Sequence, residues 1–206
     1  MRNLDRALAD ITSIRSQLAA GTMFRGLGPA VVAVTGGLAV LTAVAQSLWP
    51  GALAGDPLTF LLCWVAAAVV SGGLIGAEML ARSRRHHGGL ADAMVLNAIE
   101  QFLPAGFAGG AIACVLAGFA PEALWILPGL WQILVAIGIF ASVRTLPRAI
   151  ALVGAWYFLA GISVLMIASS GQGFSPWTMG LPFDVGQFLM AAVLYFASGE
   201  GHSDDE

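Results

Sequence analysis

"LTFLLCWVAAAVVSGGLIGAEML", residues 58–80, contains one charged side chain, Glu78, and that one close to its end. Its apolar residues do not recur at spacings of three and four. They form an unbroken block, as in a helix solvated by lipid rather than one with a wet and a dry face. About 20 mostly apolar residues suffice to cross a hydrocarbon core of ~30 Å, so this stretch predicts a transmembrane helix. The whole chain agrees. Of its 206 residues 58% are hydrophobic and 10% charged, with a mean hydropathy of +0.85, whereas a soluble domain carries about 25% charged residues.

Working outward, five further blocks complete a set of six spans at about 29–49, 58–80, 97–119, 124–143, 148–169 and 183–199. The third contains Glu100 and Gln101, and the sixth Asp184 and Gln187, yet both are apolar enough to span. The expected fold is all-α and polytopic, with six transmembrane helices arranged as three hairpins.

The basic residues give the orientation. All nine are Arg: Arg2, Arg6, Arg15 and Arg25 before the first span, Arg82, Arg84 and Arg85 after the second, Arg144 and Arg148 after the fourth. With six spans they share one side, and Asp56, Glu122 and Asp184 mark the other. Cytoplasmic loops are enriched in Arg and Lys. Both termini are therefore expected in the cytoplasm of a bacterial cell, with the chain crossing its inner membrane several times.

Three segments follow: residues 1–25, the membrane domain 26–199, and an acidic tail, 200–206. In the first, Leu4, Ala7, Ile11, Ile14 and Leu18 recur at helical spacing behind Asn3, a residue suited to an N-cap, and before Gly21. This predicts a cytoplasmic amphipathic helix, lying on the membrane or offered to another chain, and not a cleaved signal.

Repetition supports the hairpins. Prolines stand near the start of the outward-running spans, at Pro29, Pro104 and Pro147, where a first-turn proline loses no helical hydrogen bond. "WILPGLWQILVAIGIFAS" (125–142) and "WTMGLPFDVGQFLMAAVLYFAS" (177–198) share Trp, Leu-Pro, Gln and Phe-Ala-Ser in order, matching Gln132 to Gln187. The first hairpin departs from this pattern, with Asp56-Pro57 and no Gln. Gly72/Gly76 and Gly106/Gly110 have a spacing that lets helices approach closely, within the chain or between two copies in a homo-oligomer.

Two polar groups are candidates for function. Toward the cytoplasm, Glu78, Arg82, Asn97, Glu100 and Gln101 frame the turn between spans two and three, with His86 and His87 beside them. They fit a ligand or proton site, a docking surface, or anchoring at the interface. On the other side, Gln132, Asp184 and Gln187, with Trp125 and Trp177, would line an outer pocket; an interfacial tryptophan belt and a helix-start Asp184 are the structural readings.

No catalytic residue, cofactor or metal site is expected. Intramembrane haem needs axial histidines in the spans, and His86, His87 and His202 lie in a loop and the tail. No GxSxG, HExxH, P-loop, CxxC or GxGxxG context occurs, and no basic surface for direct nucleic-acid contact. Cys63 and Cys114 fall inside spans and read as buried free thiols.

"LDRALADITSIRSQLAAGTMFRGLGPA", "LPGLWQILVAIGIFAS" and "SPWTMGLPFDVGQ" together resemble a family of uncharacterised bacterial six-span integral membrane proteins. That resemblance covers most of the chain and implies association with small winged-helix regulators, hence a cytosolic regulatory partner. The expected function is a non-enzymatic sensor or accessory protein that binds a lipophilic ligand or that partner at its cytoplasmic face. A small-molecule or ion transporter or channel is the alternative, its polar path through the helix centres limited to Thr35, Thr42, Ser71 and Ser163. An enzyme acting on lipids ranks third and would need the 78–101 cluster to bind a headgroup.

Overall fold

The computed structural model describes residues 28–85, 90–143, 148–172 and 174–200; the side chains of 82–85, 90–102, 172 and 197–200 lie outside that description. The described residues form six long helices: α1 (Pro29–Leu48), α2 (Pro57–Arg85), α3 (Leu90–Phe119), α4 (Leu127–Ser142), α5 (Ile150–Ile167) and α6 (Trp177–Glu200). A single turn, Pro50–Leu53, follows α1, a 3₁₀ segment, Pro121–Ile126, leads into α4, and a π turn, Ala168–Gln172, closes α5. No strand occurs among the described residues.

Among the described residues, five stretches are long and apolar enough to cross a membrane: Pro29–Leu48, Pro57–Ala81, Pro121–Ser142, Ile150–Gly171 and Trp177–Phe196. In α3 the apolar part is shorter, Leu103–Phe119. Large apolar side chains are exposed on every long helix, among them Leu41, Val69, Phe107, Phe119, Ile137, Leu152 and Phe196. A water-soluble monomer rarely tolerates apolar patches beyond a few hundred Å², whereas for a multi-pass membrane protein this is the lipid-facing surface.

Helix ends follow local chemistry. Pro29 occupies the first turn of α1, after Gly28 in an extended conformation. At α2, Asp56 acts as the cap: Oδ1 accepts the Thr59 amide at 3.0 Å and Oδ2 the Thr59 hydroxyl at 2.6 Å. At the end of the π turn, Gly171 takes φ +92°, the left-handed conformation that suits a helix stop.

Several expectations need correction. The second and third helices extend beyond the expected spans 58–80 and 97–119, α2 to Arg85 and α3 back to Leu90; helix formation needs only backbone pairing and continues past the apolar segments. Pro104 consequently lies inside α3 rather than in its first turn, and Pro147 is outside the described residues. The last helix begins at Trp177, not 183, so Asp184 is not a helix-start residue and Pro182 is interior. Cys63 is half-buried and Cys114 exposed; both are free thiols.

Packing crosses the expected hairpins. The most extensive contacts join α4 to α5 and α1 to α6. The first pair crosses backbone against backbone: a Cβ placed on Gly129 would lie 2.7 Å from the Gly161 carbonyl oxygen, and one on Gly161 equally close to that of Gly129. In the second pair Gly180 sits against Ala43. By contrast, a Cβ at Gly72, Gly76, Gly106 or Gly110 would meet nothing within 4 Å, and it is Gly109 that faces Trp131 of α4. The GxxxG spacing thus marked faces that no other helix covers among the described residues. One core gathers Ala43, Phe60, Trp64, Leu127 and Met179 toward the Trp49 end of the bundle, and another Ala136, Ile139, Ile150, Val153 and Tyr157.

Candidate functional site

Polarity inside the apolar bundle concentrates at three places, each built around an amide or carboxylate that the sequence sets in an otherwise apolar run.

The first is Gln46, in the last turns of α1 and only 1% exposed. Its Nε2 donates to the carbonyls of Leu53 and Phe60, each at 3.1 Å, and its Oε1 accepts the Trp64 indole N–H at 2.9 Å. One side chain therefore ties α1 to the Pro50–Leu53 turn and to α2. The Leu53 carbonyl also receives the Cys63 thiol, at 3.6 Å.

The second is Gln132, fully buried on α4. Its Nε2 donates to the Thr178 carbonyl at 2.9 Å and contacts the Met179 sulfur at 3.8 Å. Pro182, four residues after Thr178, has no N–H to offer that carbonyl. Gln132 supplies the missing donor, while its own Oε1 is buried without a partner. Two further donors hold the same stretch of α6: the Trp156 indole to the Pro182 carbonyl at 2.9 Å and the Tyr157 hydroxyl to that of Phe183 at 3.4 Å.

The third lies deeper along α6. Asp184 and Gln187 are half-buried and meet α1 at Gly36, where an added Cβ would lie 3.1 Å from Gln187 Cβ and 3.4 Å from Asp184 Oδ1. The Tyr157 ring covers Gly186 so closely that a methyl there would overlap it, and Gln187 interacts with the Tyr157 hydroxyl. The outer-pocket candidates thus fall at two levels. Gln132 meets α6 at Thr178, nine residues before Gln187, a rise of about 13 Å, and the two glutamines do not pair. Trp125 is half-buried beside Leu124, while Trp177 is exposed at the start of α6.

Of the candidates around the turn between the second and third helices, Glu78 is half-buried on α2. The backbone puts Arg82 on the same helix and Asn97, Glu100 and Gln101 on α3, but these four side chains, with His86 and His87, lie outside the described residues. No group of three or more metal-ligating side chains occurs among the described residues.

A groove of about 300 Å³ runs between α1 and α2. Leu38, Thr42 and Ala45 form one wall and Cys63, Ala67 and Val70 the other, with Gln46 and Leu53 at its end. The lining is overwhelmingly apolar, because both Gln46 donors and the Thr42 hydroxyl are already engaged, the latter with the Leu38 carbonyl at 2.9 Å. Thr35 and Ser163 likewise donate to carbonyls of their own helices. Such a site is suited to hold hydrocarbon, not to pass a solvated ion.

Sequence reasoning passed over both Gln46 and the groove. An amide in an apolar run was the available signal for the first; the second depends on which helices are neighbours. No protein-family model, curated protein or solved structure matches the chain.

Proposed function

We propose that the protein is a non-enzymatic sensor or accessory protein of the bacterial inner membrane, with six spans, both termini in the cytoplasm, and an apolar ligand held between α1 and α2. The observation that carries this reading is the groove itself: an open groove with hydrocarbon walls, between helices long and apolar enough to span. Occupancy would reach the cytoplasm through α2, whose far end leads into the arginine-rich turn. There the amphipathic segment 1–25 and the Glu78–Gln101 region would engage a cytosolic regulatory protein, as the likeness to proteins associated with winged-helix regulators implies. A second copy would approach at the uncovered Gly72/Gly76 and Gly106/Gly110 faces. Against conduction stands the spending of the Thr35, Thr42 and Ser163 hydroxyls on their own helices.

The test is a titration of the purified full-length chain with the apolar fluorophore N-phenyl-1-naphthylamine. Saturable binding that Ala67→Phe abolishes is the expected result. Unsaturable partitioning, identical in both proteins, sinks the reading.

A further inference from the structure

The dimensions of the groove, its position along the helices and the charge at its mouth identify a class of occupant. On α1 its wall runs from Leu38 to Gln46, eight residues and a rise of about 12 Å; on α2 from Cys63 to Val70, about 10 Å. One leaflet of a bilayer is about 15 Å of hydrocarbon, half of ~30 Å. The groove therefore covers most of a single leaflet. It begins at Leu53, in the turn beside exposed Trp49, and ends near the middle of both helices. Ala45, Ala66 and Ala67 keep it open, since each carries only a methyl group where a larger side chain would fill the space.

The one charged residue in the turn that joins the two walls, between Leu48 and Pro57, is acidic. Asp56 stands three residues beyond Leu53 and is exposed; both carboxylate oxygens accept hydrogen bonds from Thr59, which holds the carboxyl below its ordinary value and keeps it charged. No Arg occurs in the sequence between Arg25 and Arg82, so neither helix end at this mouth offers a cation to an anionic headgroup. An ammonium group would find a counter-charge there.

Building on the apolar-ligand reading, we infer that the α1–α2 groove holds one acyl chain of an amine-bearing, zwitterionic phospholipid, headgroup at the Asp56 turn and chain end near Val70. In the proposed orientation this lipid belongs to the outer leaflet.

The test uses the full-length chain in nanodiscs doped with phosphatidylethanolamine carrying a mid-chain diazirine, or with phosphatidylglycerol bearing the same chain. Photolysis and peptide mapping should place adducts on Cys63, Ala66 and Ala67 in excess over Leu152, a freely exposed residue of α5. The ethanolamine lipid should label more than the glycerol lipid, and Asp56→Asn should remove that difference. Ala67→Phe should lower groove labelling about tenfold by filling the space. Val70→Ala, which widens the groove without overpacking, should maintain or raise it.

Labelling no greater than at Leu152, equal labelling by the two lipids, or a cross-link to a second copy in place of lipid would each overturn the inference. If the fluorophore still binds saturably while the lipid probes fail, this inference falls and the apolar-ligand reading stands. Failure of both removes both.

Discussion

Gln132 on α4 and Pro182 on α6 are linked through one carbonyl: the proline leaves Thr178 without its helical donor, and the glutamine amide replaces it at 2.9 Å. The same two sequence stretches that share Trp, Leu-Pro and Gln therefore use them differently. In α4, Pro128 lies in the first turn, while in α6 the corresponding Pro182 opens a gap that Gln132, from the matching stretch of the same chain, fills.

Gln132→Ala should destabilise the protein by about 1 kcal/mol, the usual size of a hydrogen bond between membrane helices. In a Pro182→Ala background the cost should shrink, because residue 182 regains an amide for Thr178. A double-mutant cycle by thermal unfolding in detergent measures this coupling. Equal costs in both backgrounds would refute the replacement.

Gln46→Leu should cost more, about 2–3 kcal/mol, since it strands the buried Trp64 indole together with two carbonyls. The Pro50–Leu53 turn should loosen with it. The readout is maleimide labelling of Cys63, whose thiol shares the Leu53 carbonyl, and labelling should accelerate in the variant.

Glycines divide by what faces them. Gly129→Ala forces a methyl against the Gly161 carbonyl and should destabilise by roughly 1–3 kcal/mol through overpacking. At Gly110 an added Cβ meets nothing within the described chain, so in a dilute, monomeric preparation Gly110→Ala should be neutral or stabilising by up to about 1 kcal/mol, from helix propensity. Unfolding curves of the two variants should therefore move in different directions. Close packing of a second copy at Gly110 would instead make both unfavourable.

Acid should weaken the start of α2. The Asp56 carboxyl lies below its ordinary value of 3.8 because the Thr59 hydroxyl and amide bind its charged form. A depressed folded-state value means that the cap's contribution is fully present above that ordinary value. It is lost as pH falls through the lower, folded one. Wild type should exceed Asp56→Ala in melting temperature by a constant margin at neutral pH, and that margin should close only below 3.8. A margin that vanishes near neutrality would contradict the assignment.

How much of this was legible in the sequence depended on whether the signal was local. Pro29 and the unbroken apolar block after it delimit α1 to within a residue. The start of α6 was misplaced because Asp184 and Gln187 look like a polar boundary; in the fold Gly36 and Tyr157 accommodate them, and the helix extends back to Trp177. Glu78 is recognisable as a charge in a span, while Gln46, an equally exceptional amide, has no counterpart in the repeat that matches Gln132 to Gln187. Neither the Gln132–Pro182 relationship nor the groove was accessible. Helices that are apolar on all sides carry no moment to say which face meets which neighbour, and close approach in lipid is decided by small residues.

The pairing of α1 with α6 also has a consequence in time. During synthesis α1 emerges long before α6, so the surface around Gly36, Ala39 and Ala43 waits in the membrane until Trp177–Glu200 has been made. The α4–α5 crossing at Gly129 and Gly161 joins sequence neighbours and can close early. Among the described helices, α6 should therefore dock on α1 only after the α4–α5 crossing has closed, and truncation before Trp177 should leave α1 without its most extensive contact.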